Sequence, residues 1–208
     1  MLHNRLARAP DRDAPTATTR GQALRGAALA AGGAVAAVTA IGVADRLAAA
    51  PSPQQDIRVL NLLLLLERVE VAFYEAALQD AGLTGELKAF AQAVLEHERA
   101  HLTYLENALG DRADAEPEYD PSEVTTDPET FARTAAKLED VAVGAYNGQA
   151  TNVTPGVFLA AARIVSVEAR HAAWIRSIQD GDPAPDAVDV PYDEQRVMRE
   201  LRSIGLAA

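Results

Sequence analysis

Apolar residues recur at spacings of three and four in four long segments of the chain, which is the period of amphipathic α-helices. The segments are about residues 54–79, 85–109, 127–146 and 154–178. The leucines at 62–66 could also form a buried strand, but the first segment contains no Gly or Pro over its length and therefore favours a helix. A shorter amphipathic segment at about 192–204 predicts a fifth helix.

Residues that begin and end helices lie at the ends of these segments. Asp127-Pro128 and Thr154-Pro155 each place a capping side chain before a proline at the first helical position. Thr84 is placed to cap the second helix, and Gly110 follows its last apolar position. Asn147-Gly148 predicts the end of the third helix.

The lengths of the connections predict the topology. Short links join the first helix to the second and the third to the fourth, so each pair forms an antiparallel hairpin. The link at residues 110–127 could extend roughly 60 Å, whereas a helix of about 25 residues spans roughly 38 Å. The sequence therefore predicts an all-α four-helix bundle of two antiparallel hairpins with one long crossover, plus a short C-terminal helix.

Residues 1–50 have a pattern that is typical of an export signal or signal anchor with a basic N-terminal region. Arginines precede the uncharged Ala/Gly-rich run at 26–44, which just reaches membrane-spanning length, so a membrane tether and a disordered arm are both open alternatives. Residues 19–24 resemble a twin-arginine (Tat) signal in which Gly21 replaces the second arginine. We assign residues 51–208 to the helical domain and expect an exported protein, periplasmic or at the cell surface.

Charge and composition exclude several classes of function. Six arginines and three aspartates give residues 1–50 a formal charge of +3, which leaves −14 on residues 51–208 of the total of −11. Such an acidic body repels nucleic-acid phosphates, so we expect no nucleic-acid partner. The chain has no cysteine, which excludes disulfides, thiolate zinc sites and thiol nucleophiles.

One motif occurs twice in the predicted helices. Residues 66–74 (LERVEVAFY) are echoed by residues 138–146 (LEDVAVGAY), and each copy is followed about thirty residues later by Glu-x-x-His. A Glu and a His three residues apart lie on one face of a helix, where they can bind one metal while the carboxylate bridges to a second. The predicted metal ligands are Glu67, Glu98, His101, Glu139, Glu168 and His171.

A single Glu-x-x-His is usually an exposed salt bridge or a capping pair, but here two of only four histidines fall in matched motifs. The apolar register places these charges on inward faces, where a buried carboxylate needs a partner. Four carboxylates and two neutral imidazoles balance two divalent cations. Oxygen and imidazole ligands suit iron or manganese better than they suit a metal that prefers thiolates.

Two tyrosines belong to the same motif. Tyr74 and Tyr146 lie two helical turns beyond Glu67 and Glu139 and therefore on the same side. They are candidate catalytic residues, because each could hydrogen-bond a metal ligand or take part in one-electron chemistry. The alternative is an aromatic core residue whose hydroxyl is satisfied elsewhere.

Other polar residues near the motifs receive weaker predictions. For Glu70 we favour an ion pair with a neighbouring helix. The alternative is a carboxylate that lies at the entrance to the metal site or contacts the metal ligands. Asp140 either orients a metal-bound histidine or is exposed. Glu96 and His97 are expected to face outward, and Trp174 is expected to serve packing.

These motifs resemble those of the ferritin-like superfamily over about residues 56–179. The shared features are a Glu-x₆-Tyr signature and the order Glu, Glu-x-x-His, Glu, Glu-x-x-His, which is similar to that of ferritins, bacterioferritins and rubrerythrins. The chain looks most like the exported bacterial branch that includes desiccation-related proteins. The resemblance implies that the six residues bind a di-iron or mixed-metal centre.

We therefore expect a di-iron (or Fe/Mn) carboxylate protein that oxidises Fe(II) with dioxygen or peroxide and protects against iron and oxidative stress, as a ferroxidase or peroxidase-type oxidoreductase. Its partners would be metal ions and dioxygen or peroxide, and a homodimer is an open assembly. The alternative is a non-catalytic, metal-stabilised stress protein of the desiccation-related type. Mineral storage in a hollow shell ranks last.

Overall fold

The computed structural model describes residues 51–116 and 119–207. These ranges contain five α-helices and no strand: α1 (Pro53–Asp80), α2 (Gly85–Leu109), α3 (Pro128–Gln149), α4 (Pro155–Ile178) and α5 (Glu194–Ser203). Helix α1 packs mainly on α2, and α3 mainly on α4, while contacts of α1 with α3 and of α2 with α4 join the two hairpins. The predicted all-α bundle with a short C-terminal helix is therefore confirmed.

The predicted export segment at residues 1–50, including the tether at 26–44, lies outside the described residues. Among the helices of the described ranges, none has both the length and the apolar character that a membrane crossing requires.

Capping side chains account for part of the helix bounds. The Asp127 carboxylate accepts hydrogen bonds from the N–H groups of Glu129 and Thr130 at 2.9 Å each, as a helix cap should. Thr84 makes no capping hydrogen bond, so the prediction for its side chain is wrong. Thr154 also does not cap its helix. Its N–H and hydroxyl donate to the Asp56 carboxylate at 2.8 and 2.6 Å, which places the beginnings of α1 and α4 at one end of the bundle.

The crossover between the hairpins is fastened to α1. The Asn61 side chain donates to the carbonyl of Arg112 at 3.0 Å and accepts from the N–H of Asp114 at 2.9 Å. Arg68 donates to the carbonyl of Asp114 at 2.9 Å. The chain thus returns along α1 from the end of α2 to the beginning of α3, so α2 and α3 run parallel.

Two glycines of α3 make room for the segment that precedes α5. A Cβ on Gly144 would lie 2.7 Å from the Tyr192 ring, and a Cβ on Gly148 would lie 1.9 Å from the Tyr192 carbonyl oxygen. The Tyr192 N–H donates to the Gly144 carbonyl at 2.8 Å. Helix α3 continues to Gln149, so the predicted end at Asn147-Gly148 is wrong. Gly148 serves this close backbone contact and not a helix stop.

Aromatic rings fill the core beside the repeated motif. Phe73 stacks on Phe131 with ring centroids 5.2 Å apart, and Tyr74 meets the edges of Phe90 and Phe131 at 6.0 and 5.8 Å. Trp174 packs edge-to-face on Phe90, as its predicted packing role requires. These contacts restrict the position of the Tyr74 ring and therefore of its hydroxyl group.

Substituting Gly148→Ala is expected to destabilise the protein by about 1–3 kcal/mol, because the added methyl group overlaps the Tyr192 backbone and forces it away from α3. Urea unfolding measures the effect. The matched control is Gly156→Ala in α4, where a Cβ meets nothing within 4 Å and stability should be unchanged or higher. Equal stability of the two variants would contradict the close contact.

Candidate metal centre

The structure brings together all six residues that the repeat singles out. Helix α1 supplies Glu67, α3 supplies Glu139, and each Glu-x-x-His pair comes from α2 or α4. The four glutamate side chains have no exposed surface, and the exposed fractions of the His101 and His171 side chains are 12% and 3%. All four long helices therefore contribute to one buried cluster in the bundle interior.

The cluster has two similar halves. His101 Nδ1 lies 3.0 Å from Glu98 Oε2, 3.0 Å from Glu168 Oε1 and 3.5 Å from Glu67 Oε2. His171 Nδ1 lies 3.1 Å from Glu98 Oε1, 3.4 Å from Glu139 Oε2 and 3.5 Å from Glu168 Oε2. Within each half, the four residues offer ligand atoms that all lie within 4.8 Å of one another.

Glu98 and Glu168 belong to both halves. Each presents one carboxylate oxygen to the His101 half and its other oxygen to the His171 half. Glu67 and Glu139 each belong to one half only. The cluster thus consists of two matched sets of ligand atoms that share two carboxylates, and each set has one further carboxylate and one imidazole.

The chemistry of these side chains fits metal binding. Five carboxylate oxygens of the cluster are buried and have no hydrogen bond of good geometry, although each lies 3.0–3.5 Å from a histidine Nδ1: Glu67 Oε2, Glu98 Oε1, Glu139 Oε2, Glu168 Oε1 and Glu168 Oε2. A buried acceptor without a partner costs free energy, and carboxylates at one point also repel one another. Divalent cations with a preference for oxygen and imidazole ligands would satisfy these atoms. The cluster could therefore hold metal ions.

Protons occupy the cluster of the metal-free protein. Burial opposes a charge on each histidine, but the surrounding carboxylates outweigh burial and raise the pKa of His101 and of His171 to about 12. Burial raises the pKa of Glu139 to about 7. Burial opposes the charge of Glu98 too, but hydrogen bonds to the histidines lower its pKa to about 2. Imidazolium ions thus supply the positive charge that cations would supply, and cations must displace their protons.

Tyr74 and Tyr146 bind the cluster from opposite hairpins. The Tyr74 hydroxyl donates to Glu139 Oε1, and the Tyr146 hydroxyl donates to Glu67 Oε1. Burial, reinforced by the neighbouring glutamates, raises the pKa of both hydroxyls well above the usual range, so both keep their protons and remain donors. Each hydroxyl thus binds one oxygen of a glutamate that belongs to one half only. The other oxygen of Glu139 faces His171, and the other oxygen of Glu67 faces His101.

His97 contributes to the cluster in a way that the sequence analysis missed. Its side chain is exposed, as predicted, yet its Nδ1 lies 2.8 Å from Nε2 of His171, and the two rings stack with centroids 5.1 Å apart. Because His171 Nδ1 faces the carboxylates, a partner on Nε2 fixes the orientation of the ring. The available signal was the spacing of four residues between His97 and His101, which places both on one helix face.

For Asp140 the exposed alternative is the correct one, since its side chain is 43% exposed, whereas the surroundings of Glu70 differ from those expected. Asp140 pairs with Arg176 of α4 and does not orient a histidine, since the histidine partner is His97. Glu70 is fully buried, and both of its carboxylate oxygens lack a hydrogen-bond partner. The predicted interhelical ion pair of Glu70 is therefore wrong. One helical turn from Glu67, it lies on the inward face of α1, and its carboxylate oxygens have no partner among the described residues.

A surface cavity of about 260 Å³ borders one half of the cluster at His101. His101 lines it, together with Tyr104 of α2 and with Arg163 and Ile164 of α4. On the other half, the stacked ring of His97 covers His171. The cluster therefore meets this cavity only at His101, whose side chain is 12% exposed.

Comparison with known proteins agrees with this geometry. The sequence model of a family described as a ferritin-like domain matches residues 55–180, which contain the four long helices nearly whole and all six cluster residues. No curated protein matches the chain.

Metal binding is expected to release protons. Near pH 7 the pKa of about 12 keeps both His101 and His171 protonated, whereas a metal ion binds only the neutral imidazole. A pair of Mn(II) ions should therefore displace the two imidazolium protons and, in addition, protons from Glu67 and Glu139, because burial raises the pKa of both carboxyls. The overall binding constant should rise about tenfold per released proton for each pH unit. Calorimetric titration in buffers of different ionisation enthalpy measures the number of released protons. Binding without proton release, at an affinity independent of pH, would contradict the protonated histidines.

Proposed function

This chain belongs to the ferritin-like domain family, and we propose that it is a di-iron, or iron–manganese, carboxylate protein that oxidises Fe(II) with dioxygen or peroxide. The observation that carries the proposal is the sharing of Glu98 and Glu168 between two matched sets of ligand atoms. Two Fe(II) ions held by these residues would supply two electrons, one from each ion, for the reduction of dioxygen or peroxide.

The side chains supply position and charge. Glu98 and Glu168 would each hold both ions, because each carboxylate presents one oxygen to either half of the cluster. Tyr74 and Tyr146 fix the terminal glutamates through one oxygen each, so the ligand atoms are oriented before metal arrives. Four carboxylates neutralise two divalent ions.

Access and surroundings are consistent with a small oxidant. The cavity beside His101 admits dioxygen or peroxide and supplies Fe(II) from the surface. Elsewhere buried aromatic and aliphatic side chains enclose the cluster and exclude water from the ligand atoms. The acidic domain, with −14 formal charges on residues 51–208, attracts cations to the protein as a whole.

We assign the activity a protective role against iron and oxidative stress outside the cytoplasm. The export pattern of residues 1–50 supports this location, and the resemblance to desiccation-related proteins supports a stress role. Export, a tether through residues 26–44 and a homodimer remain predictions.

A second candidate function is a stress protein in which the metal only holds the bundle together. The observation that favours it is that the ligands come from all four long helices, so bound ions would cross-link both hairpins. In that case chelation lowers the melting temperature of the protein, while iron oxidation stays at the rate of the uncatalysed reaction.

Stopped-flow oxidation of Fe(II), loaded anaerobically and mixed with oxygenated buffer or with peroxide, separates the two functions. Substituting Glu98→Gln removes a ligand shared by both ion positions and should slow oxidation about 100-fold or more. The loss should exceed that of a residue that only hydrogen-bonds a metal ligand, because here the ligand itself is changed. The matched control is Glu96→Gln, an exposed carboxylate on the same helix, which should oxidise iron like the unaltered protein. Equal rates for all three proteins with both oxidants would contradict the oxidase function.

A further inference from the structure

The beginning of α4 exposes large apolar side chains that the core does not use. Phe158 is 42% exposed and Leu159 is 65% exposed. The inward positions in this part of α4 are Val157 and Ala161, which pack against the hydrophobic core. Single exposed apolar residues are ordinary on a protein surface, whereas neighbouring large ones mark a surface that contacts something else. The packing of the bundle therefore does not account for Phe158 and Leu159.

These two side chains lie within a long uncharged stretch of the chain. Every residue from 141 to 162 is uncharged, and no other stretch of residues 51–208 is uncharged over such a length. It covers the second half of α3, the link to α4 and the first two turns of α4. We call residues 150–162 the hairpin tip, and its exposed positions include Thr151, Pro155 and Ala162. The hairpin tip is thus an uncharged, partly apolar surface on an otherwise acidic domain.

The chain enters the helical domain beside the hairpin tip. Asp56, in the first turn of α1, accepts hydrogen bonds from the Thr154 N–H and hydroxyl at 2.8 and 2.6 Å, so α1 and α4 begin side by side. Residues 45–52 separate α1 from the uncharged run at 26–44, which is the predicted membrane tether. A link of this length reaches at most roughly 30 Å. A tether in a bilayer would therefore keep the hairpin tip close to the membrane surface.

We propose that the hairpin tip is a membrane-contact surface, with Phe158 and Leu159 inserted between the lipids beside the predicted tether. Apolar side chains on an uncharged surface bind at the boundary between headgroups and acyl chains. Arg163, the first charged residue after the tip, is exposed and basic and therefore suits anionic headgroups.

Two properties of the chain favour contact through this surface. Anionic lipids repel the acidic domain, which carries −14 formal charges on residues 51–208, so an uncharged surface approaches them at the lowest cost. The run at 26–44 is rich in alanine and glycine and only just reaches spanning length, so it is a weak anchor by itself. A second apolar contact strengthens such an anchor.

The exposed area favours a bilayer over a second copy of the chain. Phe158 and Leu159 together expose roughly 200 Å², because fully exposed side chains of this size present roughly 150–250 Å² each. A stable dimer buries roughly 800 Å² on each partner. The patch is therefore small for a dimer interface and sufficient for two side chains to enter a lipid surface.

Spin labelling of the full chain in vesicles of phosphatidylcholine and phosphatidylglycerol tests the contact. The chain contains no cysteine, so each of Leu159→Cys and Phe158→Cys carries a single thiol for a nitroxide label. Lipid contact should raise the ratio of collisions with oxygen to collisions with a polar nickel complex at least about threefold, because oxygen enters the bilayer and the complex does not. The matched control is Val188→Cys, an exposed apolar position outside the tip, where the ratio should stay unchanged.

Each outcome decides for or against the membrane contact. Lipid exposure of the labels at positions 158 and 159, with the label at 188 in water, supports it. Labels that all remain in water on vesicle-bound protein overturn it, as does failure of the full chain to bind the vesicles. Dipolar broadening between labels at position 159 without vesicles identifies a second copy as the occupant and also overturns it. The proposed metal function is unaffected in every case, since Mn(II) binding by the labelled proteins should equal that of the unaltered protein.

Discussion

The structure depends on positive charge that offsets the mutual repulsion of carboxylates buried in the bundle interior. Glu67, Glu70, Glu98, Glu139 and Glu168 have no exposed surface, and only two histidines offset them from within the cluster. Such a concentration of acid is unfavourable in a low-dielectric interior unless positive charge accompanies it. In the metal-free protein that charge is protons on His101 and His171, and in the metal-bound protein it is the ions.

Several parts of the fold make this cluster possible. The two hairpins each contribute half of the ligand atoms, and the tyrosine of each hairpin holds the terminal glutamate of the other. The crossover along α1 lets α2 and α3 run parallel, which allows the two Glu-x-x-His pairs to meet. At the other side of α3, two glycines let the C-terminal segment pack closely and complete the bundle.

The sequence alone predicts the helices and the identity of the clustered residues, because both follow from local periodicity and from motif spacing. It fails where tertiary contacts decide. Helix α3 continues through Gly148, where the missing side chain leaves space for the Tyr192 backbone. The Thr154 hydroxyl donates to Asp56 and does not cap helix α4. Glu70 has no ionic partner because its inward position is set by the packing of α1, and His97 meets His171 only once α2 and α4 lie side by side. None of these contacts is encoded within one segment.

The most direct test of the central claim is anomalous X-ray diffraction from crystals soaked in Mn(II). The account predicts two anomalous peaks inside the bundle, one bound to His101 Nδ1 and the other to His171 Nδ1, with Glu98 and Glu168 ligating both. A single internal peak, or peaks only at exposed acidic side chains, would contradict a centre built from two matched halves.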